Sequence, residues 1–157
     1  MLLRPLSLVF RLIVWLRCKA YKAGLFKSFR LPVPVVVVGN IFIGGTGKTP
    51  LTIWLVDALK QAGFRPGVVS RGYGAKGREP KEVLQDAAAA DSGDEPLLIR
   101  LNADCPVVIG RRRVDAARFL LERHPDVNII VSDDGLQHYA MQRDIEDIKI
   151  RGIKVKV

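Results

Sequence analysis

Gly44-Gly45-Thr46-Gly47-Lys48-Thr49 is a glycine-rich turn closed by a lysine and a hydroxyl residue. Glycines allow successive backbone N–H groups to converge on phosphate oxygens, the lysine carries positive charge to the β- and γ-phosphates, and the threonine hydroxyl can ligate Mg²⁺. That combination suits a nucleoside triphosphate, ATP or GTP, held with Mg²⁺. A bare turn with a surface lysine would account for neither Lys48-Thr49 nor the elements on either side. The spacing departs from the strict G-x-x-x-x-G-K-[ST] pattern, which needs glycine where Phe42 stands. The turn therefore points to the ligand and leaves the reaction open.

Further polar residues could act on such a ligand. The apolar run 127–132 ends in Asp133-Asp134. One carboxylate there can hold Mg²⁺, directly or through water, opposite Thr49, although a strand-end Asp pair often does no more than terminate a strand. Phosphoryl transfer also needs a group that orients the attacking oxygen, and Asp94, in Gly93-Asp94-Glu95-Pro96, is the candidate. Asp94 reads equally as a helix N-cap, and the two roles are compatible because N-terminal amides keep a carboxylate ionised. Arg111, Arg112 and Arg113 open the next helix, where the dipole disfavours cations unless they face an anion. A phosphorylated ligand and a solvated basic face both fit them. The basic loop Arg71-Gly72-Tyr73-Gly74 follows a strand, where ligands bind in open α/β sheets, and a solvated turn has the same composition. His138, just past the Asp pair, could bond a substrate hydroxyl or phosphate. His124 beside Pro125 reads as a helix C-terminal residue stabilised by the dipole. Cys18 and Cys105 are too few and too isolated for a disulfide framework or a zinc site, which fits a reducing cytosol. Cys105 reads as a small apolar residue at a strand entrance.

These groups need a frame. Val35-Val36-Val37-Val38 predicts a buried strand ahead of the turn, and Pro50 falls in the first turn of a helix, where no amide hydrogen bond is lost. Leu51, Trp54, Leu55, Ala58, Leu59 and Ala62 recur at helical spacing as its apolar face, with Gly63 as its stop. Strands are expected near 67–70, 106–109 and 127–132, and helices from Gly93 to about Asn102 and from Arg111 to about Arg123. Residues 81–92, with the alanine run 87–90, have no clear period and are left unassigned. Alternating strands and helices predict an α/β, P-loop NTPase-like fold: a doubly wound, mainly parallel sheet with functional groups beyond the carboxyl ends of its strands.

The 157 residues, 48% hydrophobic and 26% charged, suffice for one core plus an appendage. The net charge of +9 is unevenly spread, with seven basic residues and no acidic one among the first thirty. A basic balance commonly signals nucleic acid. Here the cations are interleaved with Leu, Ile, Val, Phe and Trp, so an anionic membrane surface is expected and a nucleic-acid partner is not. Read as a helix, Arg4, Arg11 and Lys22 share one face with Lys19 at its edge, while Leu2, Leu3, Leu6, Val9, Phe10, Ile13 and Leu16 cover the other, which Arg17 interrupts. No uncharged run approaches the roughly 20 residues needed to span a bilayer. Residues 1–31 are expected to form an N-terminal amphipathic helix lying in the interface; a helix packed on the domain itself is the alternative. Arg11 breaks any signal-peptide core and no small-residue cleavage site precedes the fold, so the segment is expected to be retained.

Gly39-Asn40 with Gly44–Pro50, Ser70-Arg71-Gly72-Tyr73-Gly74, Gly93-Asp94-Glu95-Pro96-Leu97-Leu98, and Asp133-Asp134-Gly135-Leu136-Gln137-His138-Tyr139 with Arg143-Asp144-Ile145-Glu146 together resemble the tetraacyldisaccharide 4′-kinase family. The resemblance covers residues 1 to about 146, in order. It implies ATP-dependent phosphorylation of the 4′-hydroxyl of a tetraacyldisaccharide 1-phosphate, a lipid A precursor. It also implies a peripheral location on the cytoplasmic face of the Gram-negative inner membrane, with the amphipathic start docked to the membrane that holds the lipid. The positions that match carry ATP on Phe42, Ile43, Gly44, Gly45, Thr46, Gly47, Lys48 and Thr49, with Lys48 also catalytic. Mg²⁺ falls near Thr49, Asp133 and Asp134, and Asp94 becomes the general base. Arg71, Tyr73, Arg112, Arg113 and His138 would line the lipid headgroup and phosphates. No obligate protein partner is implied.

The resemblance divides the chain into the interface helix 1–31, a P-loop kinase core 32–146 and a tail 147–157. Family members are about twice as long, and their second half completes the cleft and supplies a histidine paired to the catalytic aspartate. The tail instead alternates Lys or Arg with Ile or Val and does not match. For the chain as it stands the expectation is ATP binding with weak or absent kinase activity. Two rivals remain. A membrane-associated regulatory ATPase of the partitioning type wants a lysine at Ile43 and does not need the Asp133 to His138 cluster. A non-catalytic fragment would expose a sheet edge and apolar surface.

Overall fold

Four consecutive β-branched residues, all buried, suit a strand covered on both faces, and Val35–Val38 forms β1. The computed structural model describes residues 9, 12–16, 19–21, 25–26, 28–39, 47–75, 79–133, 140–146, 148–149 and 154–155. Helix α1 (Lys48–Gln61) follows, then β2 (Pro66–Ser70), the short edge strand β3 (Lys81–Glu82), a single turn α2 (Ala89–Ser92) and α3 (Asp94–Ala103). Strand β4 (Val107–Ile109), α4 (Arg113–Arg123), β5 (Ile129–Asp133) and β6 (Ile145–Glu146) complete a sheet ordered β3-β4-β2-β5-β1-β6. All pairings in it are parallel except that of β3 with β4. Within the 147–157 segment, β7 (Ile148–Lys149) pairs antiparallel with β8 (Lys154–Val155) as a separate ribbon.

The two-residue period sends alternate side chains to opposite faces. Val38, Val68, Val107, Ile109 and Val131 pack with Val56 of α1 and with Ile99 and Ala103 of α3. Val35, Val37, Val69, Val108 and Ile130 pack with Val114, Ala117 and Leu120 of α4. The path β1, β2, β4 steps one way across the sheet, and β5 then returns to lie between β2 and β1. Right-handed crossovers require helices on opposite faces for steps of opposite direction, which is why α4 lies on the face opposite α1 and α3.

Two expectations change here. The apolar face assigned to α1 is rotated: Thr49, Thr52 and Val56 are its buried residues, and Trp54 is 58% exposed. Burial of a threonine is permitted because the Thr52 hydroxyl finds a carboxylate on β5. The unassigned stretch 81–92 supplies β3 and α2. The stop at Gly63 holds: Gly63 has φ 87, and its N–H and that of Phe64 close back on Lys60 and Leu59.

At the start of the chain, residues 12–16 and 19–21 are helical, and Leu12, Ile13, Trp15 and Leu16 are exposed. Lys19 lies over the Trp15 ring, 5.6 Å from its centroid. Among the described residues no helix is long and apolar enough to cross a membrane.

Candidate active site

Strands β1, β2, β4 and β5 are parallel, so their carboxyl ends meet on one rim, and the polar residues named above gather there. Gly47 caps α1 with φ 72, a left-handed conformation in which glycine carries no Cβ penalty. Lys48 and Thr49 then occupy the first helical turn, Lys48 half-buried and Thr49 buried. Phe42, Ile43, Gly44, Gly45 and Thr46 lie outside the described residues, as do Asp134 and His138.

Asp133 is the last residue of β5 and is 1% exposed. Thr52 Oγ1 donates to its Oδ1 at 3.2 Å and Ser70 Oγ donates to its Oδ2 at 3.3 Å. These bonds link α1, β2 and β5 through one carboxylate. Ionised carboxylate oxygens are hard donors of the kind a hard cation prefers. With the Thr49 hydroxyl, this all-oxygen set fits Mg²⁺, which favours one or two carboxylates and keeps waters and phosphates as its other ligands. Ser70 lines a cavity of about 590 Å³ together with Lys48, Arg71, Tyr73, Asp94, Glu95 and Pro96. Lys48, Arg71, Tyr73 and Asp94 are thus brought together in one concavity, with Asp133 behind Ser70.

Asp94 is not the N-cap its sequence suggested. Gly93, with φ 84, takes that position, and the Leu97 N–H closes the first turn on the Gly93 carbonyl. Asp94 is the first helical residue, exposed on the cavity wall at the positive end of the α3 dipole. A Cβ on Gly93 would approach the Tyr73 carbonyl oxygen to 2.7 Å, so the loop after β2 rests directly on the start of α3.

The arginines divide. Arg112 is exposed and bridges Asp115 at 3.1 Å. Arg113, expected on the substrate, is 1% exposed, and its guanidinium donates to the Gly110 carbonyl at 2.9 Å and to the Asp133 carbonyl at 3.1 Å. It braces the ends of β4 and β5, which corrects the substrate contact: a guanidinium so enclosed fixes backbone and does not face the cavity. His124 is the C-cap residue of α4 and contacts Glu82 of β3 at 2.9 Å, and it lines neither rim cavity. Sequence reading missed Thr52 and held Ser70 and Glu95 only as motif members. The signal for Thr52 was its place three residues after Thr49, on the same helical face.

A parallel sheet in which a glycine-rich sequence leads from β1 to α1, and an acidic residue ends the neighbouring parallel strand, is the frame of a P-loop-type α/β protein. A model of the tetraacyldisaccharide-1-P 4′-kinase family matches residues 1–151, and the chain belongs to that family. The matched span takes in the start of the 147–157 segment. Tetraacyldisaccharide 4′-kinase from Herminiimonas arsenicoxydans is 60% identical over 145 residues, covering 92% of this chain and 41% of that protein. Its counterpart from Janthinobacterium sp. (strain Marseille) is 58% identical over 151 residues, covering 96% and 44%. The crystal structure of LpxK from Aquifex aeolicus in complex with ATP superimposes with a TM-score of 0.81 at 33% identity, covering 92% of this chain and 48% of that one. The chain therefore spans less than half the length of the relatives it matches.

Proposed function

We propose that this chain carries the ATP-binding and proton-accepting half of a kinase that phosphorylates the 4′-hydroxyl of a tetraacyldisaccharide 1-phosphate. One observation carries the reading: Lys48 and Asp94 line the same cavity as Ser70, whose hydroxyl holds Asp133. Membership of the kinase family and the likeness to an ATP complex support it.

The rim residues divide the work. Backbone amides at the start of α1 and the Lys48 ammonium neutralise the triphosphate. Bound at Thr49 and Asp133, with Asp134 beside it in sequence, Mg²⁺ would supply charge neutralisation on the phosphates. Asp94 accepts the proton of the attacking hydroxyl as the new oxygen–phosphorus bond forms and the bond from the γ-phosphorus to the bridging oxygen breaks, releasing ADP. Arg71 and Tyr73, on the loop that rests on Gly93, orient the acceptor. The exposed apolar residues 12–16 and the basic residues around them support peripheral docking to the cytoplasmic face of the inner membrane, where the lipid acceptor lies.

The test is ³²P transfer from γ-labelled ATP to extractable lipid, alongside ATP titration of the 157-residue chain. The chain is expected to bind ATP and transfer weakly or not at all, because it spans less than half of its relatives' length. Lys48→Ala should abolish binding. In a chain that transfers, Asp94→Ala should lower transfer by about 10²-fold or more while leaving ATP affinity intact. Normal transfer by the Asp94→Ala chain removes Asp94 from the mechanism. Hydrolysis of ATP without lipid labelling, unaffected by Asp94→Ala, favours the regulatory ATPase.

A further inference from the structure

Asp133 is held at three points by three different elements. Thr52 of α1 donates to Oδ1 at 3.2 Å, Ser70 of β2 donates to Oδ2 at 3.3 Å, and the Arg113 guanidinium of α4 donates to the backbone carbonyl at 3.1 Å. Its backbone also lies in register with Val38 at the end of β1. Thr52 is 0% exposed and Ser70 4%, so both tethers are as deeply enclosed as the carboxylate they hold. Burying a carboxylate is costly. A residue that did no more than end a strand could leave its carboxylate in water.

The chemistry of the two side-chain tethers is selective. Threonine and serine hydroxyls donate a hydrogen bond each and bring no charge, so they orient the carboxylate and leave it anionic, as a cation ligand must be. A lysine or arginine in either place would neutralise it. Thr52 stands three residues after Thr49, a neighbour on the same helical face, so α1 supplies both the hydroxyl assigned to Mg²⁺ and a bond to the carboxylate assigned to it. Ser70 ends β2 and leads into Arg71, which lines the larger cavity and a smaller one of about 210 Å³ on the same rim. Both carboxylate oxygens and the carbonyl of Asp133 are thus restrained. Mg²⁺ demands near-ideal octahedral geometry, whereas Ca²⁺ takes more oxygens in flexible arrangements, with carboxylates often bidentate. A carboxylate that cannot readily turn suits the first ion better than the second.

We propose that Thr52 and Ser70 are positioning residues for Asp133, holding its carboxylate in the orientation that binds Mg²⁺ in preference to Ca²⁺. This rests on the reading of Thr49 and Asp133 as Mg²⁺ ligands. Each hydroxyl acts through Asp133, and its loss weakens metal binding without removing a ligand.

The experiment titrates the 157-residue chain with ATP in EDTA, in MgCl₂ and in CaCl₂, and takes the gain in ATP affinity that each metal brings. The gain is a ratio within one chain, so a partly unfolded variant lowers both of its terms alike. Wild type is expected to gain more from Mg²⁺ than from Ca²⁺. Thr52→Val and Ser70→Ala should each lower the Mg²⁺ gain by about tenfold, the scale for residues that support a metal ligand, and lower the Ca²⁺ gain less. Thr52→Ser, which keeps the hydroxyl, should restore the wild-type preference. The two tethers belong to different elements, so either variant alone decides, and urea denaturation reports the fold of each. Variants that lose stability but keep the full Mg²⁺ gain overturn the proposal, since the hydroxyls then only brace the fold. Equal falls for both ions overturn it too, because that is the result of losing a ligand and not its orientation. A wild-type chain that binds ATP yet gains nothing from Mg²⁺ overturns the metal reading of Asp133 and the positioning role with it. A chain that binds no ATP under any condition overturns the proposed function as well.

Discussion

The two rims of the sheet are built from the same strands and treat their polar groups in opposite ways. At the amino rim the chain closes on itself. The Ile130 N–H bonds the Pro34 carbonyl and the Val68 N–H bonds the Pro106 carbonyl, both at 2.9 Å. The Arg65 N–H bonds Asn128 Oδ1 at 2.7 Å, and the Val35 N–H bonds Asp144 Oδ2 at 3.0 Å. Prolines there remove donors, and side chains supply the acceptors that remain necessary. At the carboxyl rim Asp133 and Arg113 are closed in this way. Lys48, Arg71, Asp94 and Arg111 stand around open cavities. Parallel alignment makes this asymmetry unavoidable, because every helix amino terminus and its positive potential arrives at the carboxyl rim. Charged groups gathered around cavities, where the other rim seals itself with backbone bonds, mark the functional end.

Asp133 belongs to both descriptions, so its removal should have the largest effect. Asp133→Ala leaves the buried Thr52 and Ser70 hydroxyls without an acceptor, at about 1–3 kcal/mol each, and takes away a carboxylate assigned to Mg²⁺. Urea denaturation should register a loss of roughly 3 kcal/mol, and the gain in ATP affinity on adding Mg²⁺ should vanish. If that gain persists, Asp133 is a brace only and the contrast between rims rests on Asp94 and the cations. Asp144→Ala probes the other rim and should do less. The Asp144 side chain is 48% exposed, so losing its bond to the Val35 N–H should cost about 1 kcal/mol, with water replacing part of it. ATP affinity should not move. A fall in affinity as large as that of a rim residue would mean the two ends are mechanically coupled through β1.

What the sequence disclosed follows the same division. Strands β1, β4 and β5 were legible because continuous runs of Val and Ile suit a strand covered on both faces, and β2 because Val68-Val69 precede a glycine-rich turn. The two-residue strand β3 was not, since Lys81-Glu82 carries no period and is a strand only by pairing with β4. Lys48, Thr49, Asp94 and Asp133 could be read from residue type and position after a strand or before a helix. The places of Thr52 and Arg113 could not, because each is buried by a hydrogen bond to Asp133, 81 and 20 residues away in sequence. Asp94 was displaced from the cap to the first helical position by a single backbone property, the positive φ of Gly93.

The smallest effect at neutral pH, and the cleanest check that the amino rim is sealed, belongs to Cys105 at the entrance to β4. Burial pushes its thiol from 9.0 up to about 12, only partly opposed by Lys60 and Arg100. The folded state therefore keeps the proton over a range in which the unfolded chain has lost it. Between pH 9.0 and about 12 the unfolded state binds fewer protons, so stability falls as pH rises, and below 9.0 the thiol contributes no slope. Cys105→Ala should leave unfolding free energies near pH 7 changed only by the lost packing. From pH 9.5 to 10.5 it should flatten the decline by up to about 1.4 kcal/mol per pH unit. Other groups titrate there too, but they are common to both chains and cancel in the difference. Parallel declines in the two chains would mean that water reaches the thiol, and that the amino rim opens in solution as the carboxyl rim does.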